Sequence, residues 1–257
     1  MPMITLTSDW GWKDHYLAAV KGQIKSRLPV VELIDISHDI RPFNLKEASF
    51  IIRNAYKTFP KGTIHLIAVR TEGPGDNPHM AALFDGQYFI CGDNGIFSLI
   101  FDARPEKLVL IADGKSKRPT FTALDALVEA AVALAEGSEL EKLGQISGEW
   151  VEKSHFQPVV TGNVIKGLVI YIDNYKNVIT NITKELFDSV GKGRKFRLEC
   201  RGEQINRLSV KYTDVSPGEV LALFSHTGHL EIAINHDHAS SLLGLYESDS
   251  IMVEFFD

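Results

Sequence analysis

The chain has 257 residues, long for one domain and comfortable for two of unequal size. Hydrophobic residues make up 44% and charged residues 23%, the composition of a globular protein able to bury a core. The net charge of -6 argues against sequence-independent nucleic-acid binding, which needs a basic footprint; Lys115, Lys117 and Arg118 form only a short basic loop. The first residues lack the basic-then-apolar pattern of a signal peptide, and no apolar stretch approaches the roughly 20 residues of a membrane helix. Cys91 and Cys200 lie far apart and point to neither a disulfide framework nor a thiolate metal site. The expectation is a soluble cytoplasmic protein without nucleic-acid or membrane partners.

In chain order, Ile4–Thr7 reads as a short apolar strand running into the polar turn Ser8-Asp9-Trp10-Gly11. Leu17, Val20, Ile24 and Leu28 recur at helical spacing, and Val30–Ile36 reads as a buried strand. Asn44 with Glu47 resembles a capping box ahead of the stripe Leu45, Ala48, Ile52, Ala55 and Phe59. Thr63–Val69, His79–Phe84, Tyr88–Cys91 and Lys107–Ile111 read as strands. A helix is predicted over Leu124–Ala135, with Thr122 and Asp125 where a capping pair belongs. Strand and helix alternate, which predicts βαβ units and a largely parallel sheet over 1–150.

After about residue 148 the texture changes, with Ser147–Pro158 as the natural linker. Gly167–Ile172, Lys195–Cys200, Leu208–Tyr212, Glu219–Phe224, Leu230–Asn235 and Ile251–Phe255 are short β-like runs separated by Gly, Asp, Asn and Ser. They predict a smaller all-β domain, barrel or sandwich, over 159–257.

Several segments carry a resemblance. They are Ile4-Thr-Leu-Thr-Ser-Asp-Trp-Gly-Trp-Lys-Asp14, Val20-Lys-Gly22, Glu32-Leu-Ile-Asp-Ile-Ser-His38, Phe59-Pro-Lys-Gly-Thr-Ile-His65 and Gly92-Asp-Asn-Gly95. Ile172-Asp-Asn-Tyr-Lys-Asn-Val-Ile-Thr-Asn-Ile182 and Gly228-His-Leu-Glu-Ile-Ala-Ile-Asn235 complete the set. Together they resemble the SAM hydroxide adenosyltransferase and fluorinase/chlorinase family across almost the whole chain. In that family S-adenosylmethionine (SAM) lies between the α/β domain of one subunit and the β domain of its neighbour. The resemblance therefore implies a homotrimer, with SAM or adenosine as ligand and no other cofactor or metal.

Carried over residue by residue, Asp9 takes the ribose hydroxyls, a role suited to a charged acceptor at a strand's carboxyl end. Its alternative is a helix N-cap. Asp14 and Asp173 map near the methionine amino group; Asp14 alone also reads as a first-turn helix residue. Asn177, Ile234 and Asn235 map to the adenine pocket, though Asn177 alone also reads as a turn residue. Tyr175 stands where the family has a stacking Phe, and His226 where it has a Ser near the substrate carboxylate. Glu231 maps to a ligand contact, whereas strand alternation alone leaves it equally well facing solvent. His226, His229, His236 and His238 resemble metal spacing only superficially, since no Cys or carboxylate set completes a site. His38 and His65 read as structural.

The resemblance breaks at the hydrolytic set. The family's hydrolases carry Asp, Arg and His; anchoring on Gly73 and Gly75 places Thr71 at the Asp position and Pro78 near the Arg position. In Thr120-Phe-Thr-Ala-Leu-Asp125, Thr122 stands at the His position and also reads as a simple N-cap. A threonine hydroxyl is no general base near neutral pH. Arg70, Glu72, Asp76 and His79 supply charge in the same loop, and a sulfonium leaves as a neutral thioether without acid help. Three functions remain open: SAM hydrolysis or adenosyl transfer by displacement at C5′, SAM or adenosine binding without catalysis, and specificity for another nucleoside, which His226 and Ile234 in the pocket would favour.

Overall fold

Apolar runs with polar turns between them become the central strands of the first of two compact units, Met1–Ser154 and His155–Asp257. The computed structural model describes residues 2–71, 78–112, 118 and 120–257. The first unit runs β1 (Met3–Ser8), α1 (Tyr16–Arg27), β2 (Glu32–Ser37), α2 (Leu45–Ala55), β3 (Ile64–Ala68), β4 (His79–Phe84), β5 (Gln87–Gly92), α3 (Ile96–Ile100), β6 (Lys107–Ile111), α4 (Ala126–Ala135) and β7 (Gly144–Ile146). Its seven strands form one mixed sheet in the order β2-β1-β3-β5-β4-β6-β7. The first four in that order pair in parallel, and β4, β6 and β7 continue the sheet antiparallel.

Helices cover both faces of this sheet. Leu17, Val20 and Ile24 of α1 pack with Leu127, Val128 and Ala131 of α4 against Ile4, Leu6 and Leu66. Leu45, Ala48 and Ile52 of α2 pack with Ile96, Phe97 and Ile100 of α3 against Ile67, Met80 and Phe89. Burial of each large apolar side chain contributes about 1.5–3 kcal/mol. β1 and β3, covered on both sides, are buried along almost their whole length. The Val30–Ile36 expectation is corrected: the strand begins at Glu32 and is an edge strand, largely half-exposed. Asn44 caps α2 as predicted, accepting from the Glu47 amide at 3.2 Å. No such bond starts α4; Thr122 opens a 3-10 turn over Thr122–Leu124 rather than capping the helix.

His65 sits buried in β3. The Thr5 hydroxyl reaches its Nδ1 at 2.7 Å, and its Nε2 reaches Gln87 Oε1 at 2.7 Å. Its ring stacks on Phe89 at 4.6 Å. Burial pushes the imidazole down to about 4.

The second unit runs β8 (Val159–Thr161), β9 (Val164–Ile172), β10 (Val178–Thr183), α5 (Lys184–Gly191), β11 (Lys195–Cys200), β12 (Glu203–Ile205), β13 (Val220–Phe224), β14 (His229–Ile234), α6 (Ala239–Leu243) and β15 (Ser250–Phe256). These strands make a nearly closed antiparallel barrel, ordered β12-β11-β15-β9-β10-β14-β13 with β8 on β9. Phe187 of α5 plugs the core, its ring 4.9–5.4 Å from those of Phe196, Phe224 and Phe255. The predicted strand Leu208–Tyr212 does not form; a single bridge from Leu208 to Ala222 replaces it, and Tyr212–Asp214 is a 3-10 turn. The fold class is the expected one, an α/β domain followed by a smaller all-β barrel. Cys91 and Cys200 are both buried free thiols, and burial raises both, Cys200 to about 11.

Candidate functional site

In the first unit β1 leads in the chain to β2 on one side, and β3 then lies on the other. That reversal makes a topological switch point at the carboxyl ends of these strands, where open α/β sheets bind ligands. Asp9 and Trp10 follow β1, Pro42 and Phe43 lie beyond β2, and Arg70 and Thr71 follow β3; with Tyr16 they line a cleft of about 270 Å³.

Asp9 is fixed by backbone. Its Oδ2 accepts from the amides of Phe43 at 2.8 Å and, more weakly, of Arg70 at 3.4 Å. Phe43 and Arg70 both lie in the left-handed region, with φ of 66° and 50°. Such backbone costs of order 1–3 kcal/mol in a residue other than glycine. Here it aims two amides at one carboxylate oxygen. The edge of Phe121 closes the aromatic side, 5.2 Å from Trp10 and 5.1 Å from Tyr16.

Behind Asp9 runs a chain of polar groups, buried at Ser8 and His38 and half-buried at Asp35 and Lys21. The Ser8 hydroxyl meets His38 Nδ1 at 2.6 Å, His38 Nε2 donates to Asp35 Oδ1 at 3.1 Å, and Lys21 pairs with Asp35 at 2.5 Å. A nucleophilic triad joins serine to Nε2 and the carboxylate to Nδ1. The attachment here is the reverse, and Ser8 is not among the cleft-lining residues. Burial lowers His38, so the ring is held neutral, donating from Nε2 and accepting from Ser8. The His38 carbonyl accepts from Gly11 N at 2.9 Å, so His38 grips the Asp9 loop on both sides.

Thr71 is buried beside Gly92, where a Cβ would stand 3.6 Å from the Thr71 Cα. Thr122 is half-buried, its hydroxyl 3.5 Å from Nε2 of buried His79. Pro78 accepts through its carbonyl from Asp93 N at 2.8 Å. Asp14 is exposed and does not line the cleft. Glu72, Gly73, Gly75, Asp76, Lys115 and Lys117 lie outside the described residues.

The second unit gathers the remaining predicted residues around β10 and β14. Asp173 accepts from the Asn177 backbone N at 2.8 Å and from its side-chain amide at 3.1 Å, closing a turn through Lys176 in the left-handed region. Asn177 thus has a turn role, with Tyr175 exposed at the tip. Glu231 is 3% exposed, which overturns the solvent-facing alternative. Alternation misleads there because β14 lies between β10 and β13 and is buried on both faces. The Tyr212 hydroxyl donates to Glu231 Oε1 at 2.8 Å. Burial raises the Glu231 carboxyl, opposed by that hydrogen bond and by His226, while Asp173 reinforces the rise. Burial and Glu231 likewise raise Tyr212. His226 is exposed on the loop before β14. Ile234 is buried, and the Asn235 amide donates to the Val215 carbonyl at 2.7 Å.

Tyr16, Phe43 and Tyr212 escape sequence reasoning. Phe43 contributes a backbone amide, and Tyr212 reaches Glu231 from 19 residues away, so neither leaves a local pattern. Among the described residues no group of three or more His, Cys, Asp or Glu is placed to hold a metal ion. None of their helices is long and apolar enough to cross a membrane.

An α/β unit with an aromatic-lined cleft holding Asp9 at its switch point, followed by a β-barrel unit, defines the class of protein. Residues 4–144 match the SAM hydroxide adenosyltransferase N-terminal domain, and residues 167–252 match the C-terminal domain of the same family. The chain belongs to the SAM hydroxide adenosyltransferase family. It is 28% identical to an (R)-S-adenosyl-L-methionine hydrolase of Methanocaldococcus jannaschii, over 98% of this chain and 96% of that protein. It is 27% identical to a fluorinase of Nocardia brasiliensis, over 91% and 90%. The crystal structure of a conserved Thermotoga maritima protein superposes with a TM-score of 0.89 at 29% identity, covering 98% of this chain and 99% of that one.

Proposed function

We propose that the protein cleaves SAM at the ribose C5′ by nucleophilic displacement, releasing methionine and, with water as nucleophile, adenosine. The observation that carries this reading is the fixed Asp9 carboxylate in the cleft at the strand ends. Among the described residues its hydrogen bonds fall on Oδ2, which leaves Oδ1 to accept from ribose hydroxyls. Tyr16, Trp10 and Phe43 supply apolar walls. The second half of the site is Asp173, Tyr175, Asn177, His226, Glu231, Ile234 and Asn235. Carboxylates there suit the cationic amino-acid end of SAM, and the Asn235 loop suits adenine. In a homotrimer these residues meet the cleft of a neighbouring protomer, with Asp14 beside the methionine amino group. The relatives' names, an (R)-S-adenosyl-L-methionine hydrolase and a fluorinase, support SAM as the molecule that is cleaved.

A second reading, SAM or adenosine binding without turnover, is favoured by Thr71 and Thr122 at the positions of the hydrolytic Asp and His. Incubation of the purified protein with SAM at graded halide concentrations, with products resolved by chromatography, separates the two. Adenosine above the uncatalysed background is the expected result; a halogenated nucleoside assigns a halide nucleophile. Tight SAM binding by calorimetry without any product overturns the enzyme reading in favour of the second. Asp9→Asn is expected to weaken SAM binding about 100-fold, the loss of charge assistance to two hydrogen bonds.

A further inference from the structure

Among the described lining residues of the cleft the carboxylate is Asp9, already engaged by the Phe43 and Arg70 amides, and a buried imidazole stands against the nearby Thr122 hydroxyl. His79 is the first residue of β4 and pairs with Gly92 of β5. Residues directly opposite in an antiparallel pair project to the same face. A Cβ on Gly92 would stand 3.6 Å from the Thr71 Cα, so the His79 side chain projects to the face on which Thr71 lies. From there Nε2 comes within 3.5 Å of the Thr122 hydroxyl. Phe121, the residue before Thr122, packs its ring on Trp10 and Tyr16 of the cleft. Thr122 thus meets this buried imidazole, its neighbour Phe121 packs on the cleft wall, and Thr71 lies on the same face of the sheet as His79.

The other imidazoles near the cleft are unsuited. His38 is occupied at both nitrogens, by Ser8 and Asp35. His15 is exposed and stacks on Tyr16 at 4.6 Å. Among the described residues, charged groups on the surrounding elements are Asp93 after β5, Arg70 after β3, and Asp125, which is ion-paired to Arg118.

We propose that His79 is the general base of this protein, accepting the proton of the attacking water either directly or through Thr122. This rests on the displacement reading above. The water oxygen bonds to C5′ as the C5′–S bond breaks, and sulfur keeps the electron pair and departs as the neutral thioether of methionine. The water proton passes to His79 and then to solvent. The products are adenosine, methionine and one proton.

The test compares wild type with His79→Gln, which keeps a polar side chain of similar reach, and with Thr122→Val, for SAM turnover and SAM affinity across pH. For His79→Gln, kcat is expected to fall at least about 100-fold, with SAM Kd changed by less than about threefold. The acid limb of the wild-type kcat/KM profile should be absent from the variant. Thr122→Val should lower kcat by about tenfold if the proton passes through its hydroxyl, and otherwise leave the His79 limb in place. A His79→Gln variant that turns over SAM at the wild-type rate, or keeps the acid limb, overturns the assignment while leaving the displacement reading intact. Wild type without turnover overturns both. Circular dichroism at each pH establishes that the variants are folded.

Discussion

The buried His65 makes the first unit acid-labile in a way that follows from two hydrogen bonds. Its Nε2–H donates to Gln87 Oε1, so the Thr5 hydroxyl donates to Nδ1, and the neutral ring is satisfied at both ends. Protonation at Nδ1 turns away the Thr5 hydrogen and places a charge against Phe89 and Tyr56. The folded pKa of about 4 lies below the reference 6.5, so between these values the unfolded chain binds more protons. Stability is then fully present above pH 6.5 and is lost as pH falls towards 4. The difference of about 2.5 units corresponds to about 3 kcal/mol in full, of which about 2.5 kcal/mol is gone by pH 4.5. All three tryptophans, Trp10, Trp12 and Trp150, belong to the first unit, so urea unfolding followed by tryptophan fluorescence reports that unit alone. Against His65→Gln, which does not titrate, the wild-type unfolding free energy should rise by about 2.5 kcal/mol between pH 4.5 and 7.5. The same difference between the two proteins at both pH values would refute the reasoning.

Two further outcomes concern packing and the Tyr212–Glu231 contact of the barrel. Tyr212→Phe removes the phenol that donates to buried Glu231 and should destabilise the second unit by about 1.5 kcal/mol near pH 8, the low end for a bond to a charged group because Tyr212 is 43% exposed. That loss should shrink as pH falls through the raised Glu231 pKa and the carboxylate protonates; urea curves followed by circular dichroism at pH 8 and pH 4 check it. Gly144→Ala places a Cβ 2.0 Å from the Leu110 carbonyl oxygen and should destabilise the first unit by at least about 2 kcal/mol, whereas Gly148→Ala, in open space, should stay within about 0.5 kcal/mol by fluorescence-monitored unfolding.

Much of the fold was legible where local signals and burial agree. Asn44 and Glu47 mark the start of α2, and the runs around Leu6 and Leu66 mark central strands, because the same residues that favour the element also fill the core. Legibility failed where position in the sheet decides. The run from Val30 looks like a buried strand but lies at an edge, and Glu231 looks solvent-facing but lies on an interior strand. Leu208–Tyr212 has strand composition yet forms one bridge, its tyrosine being held by Glu231. The place of Asp9 at the carboxyl end of β1 was legible through its strand-end motif. The backbone amides that fix it, and the convergence of His79 on Thr122, depend on contacts 34 to 61 residues apart that no window of sequence contains.

The two buried cysteines give the molecule a pair of internal clocks. Cys91 belongs to the first unit and Cys200 to the second, and no other thiol competes with them. A thiol whose ionisation is suppressed by burial reacts with an alkylating reagent only when its surroundings open. The labelling rate of each therefore measures the opening free energy of its own half. Adenosine or SAM added to the native protein should slow whichever clock belongs to the half that grips it, so thermodynamic coupling between the halves can be read from the wild-type chain.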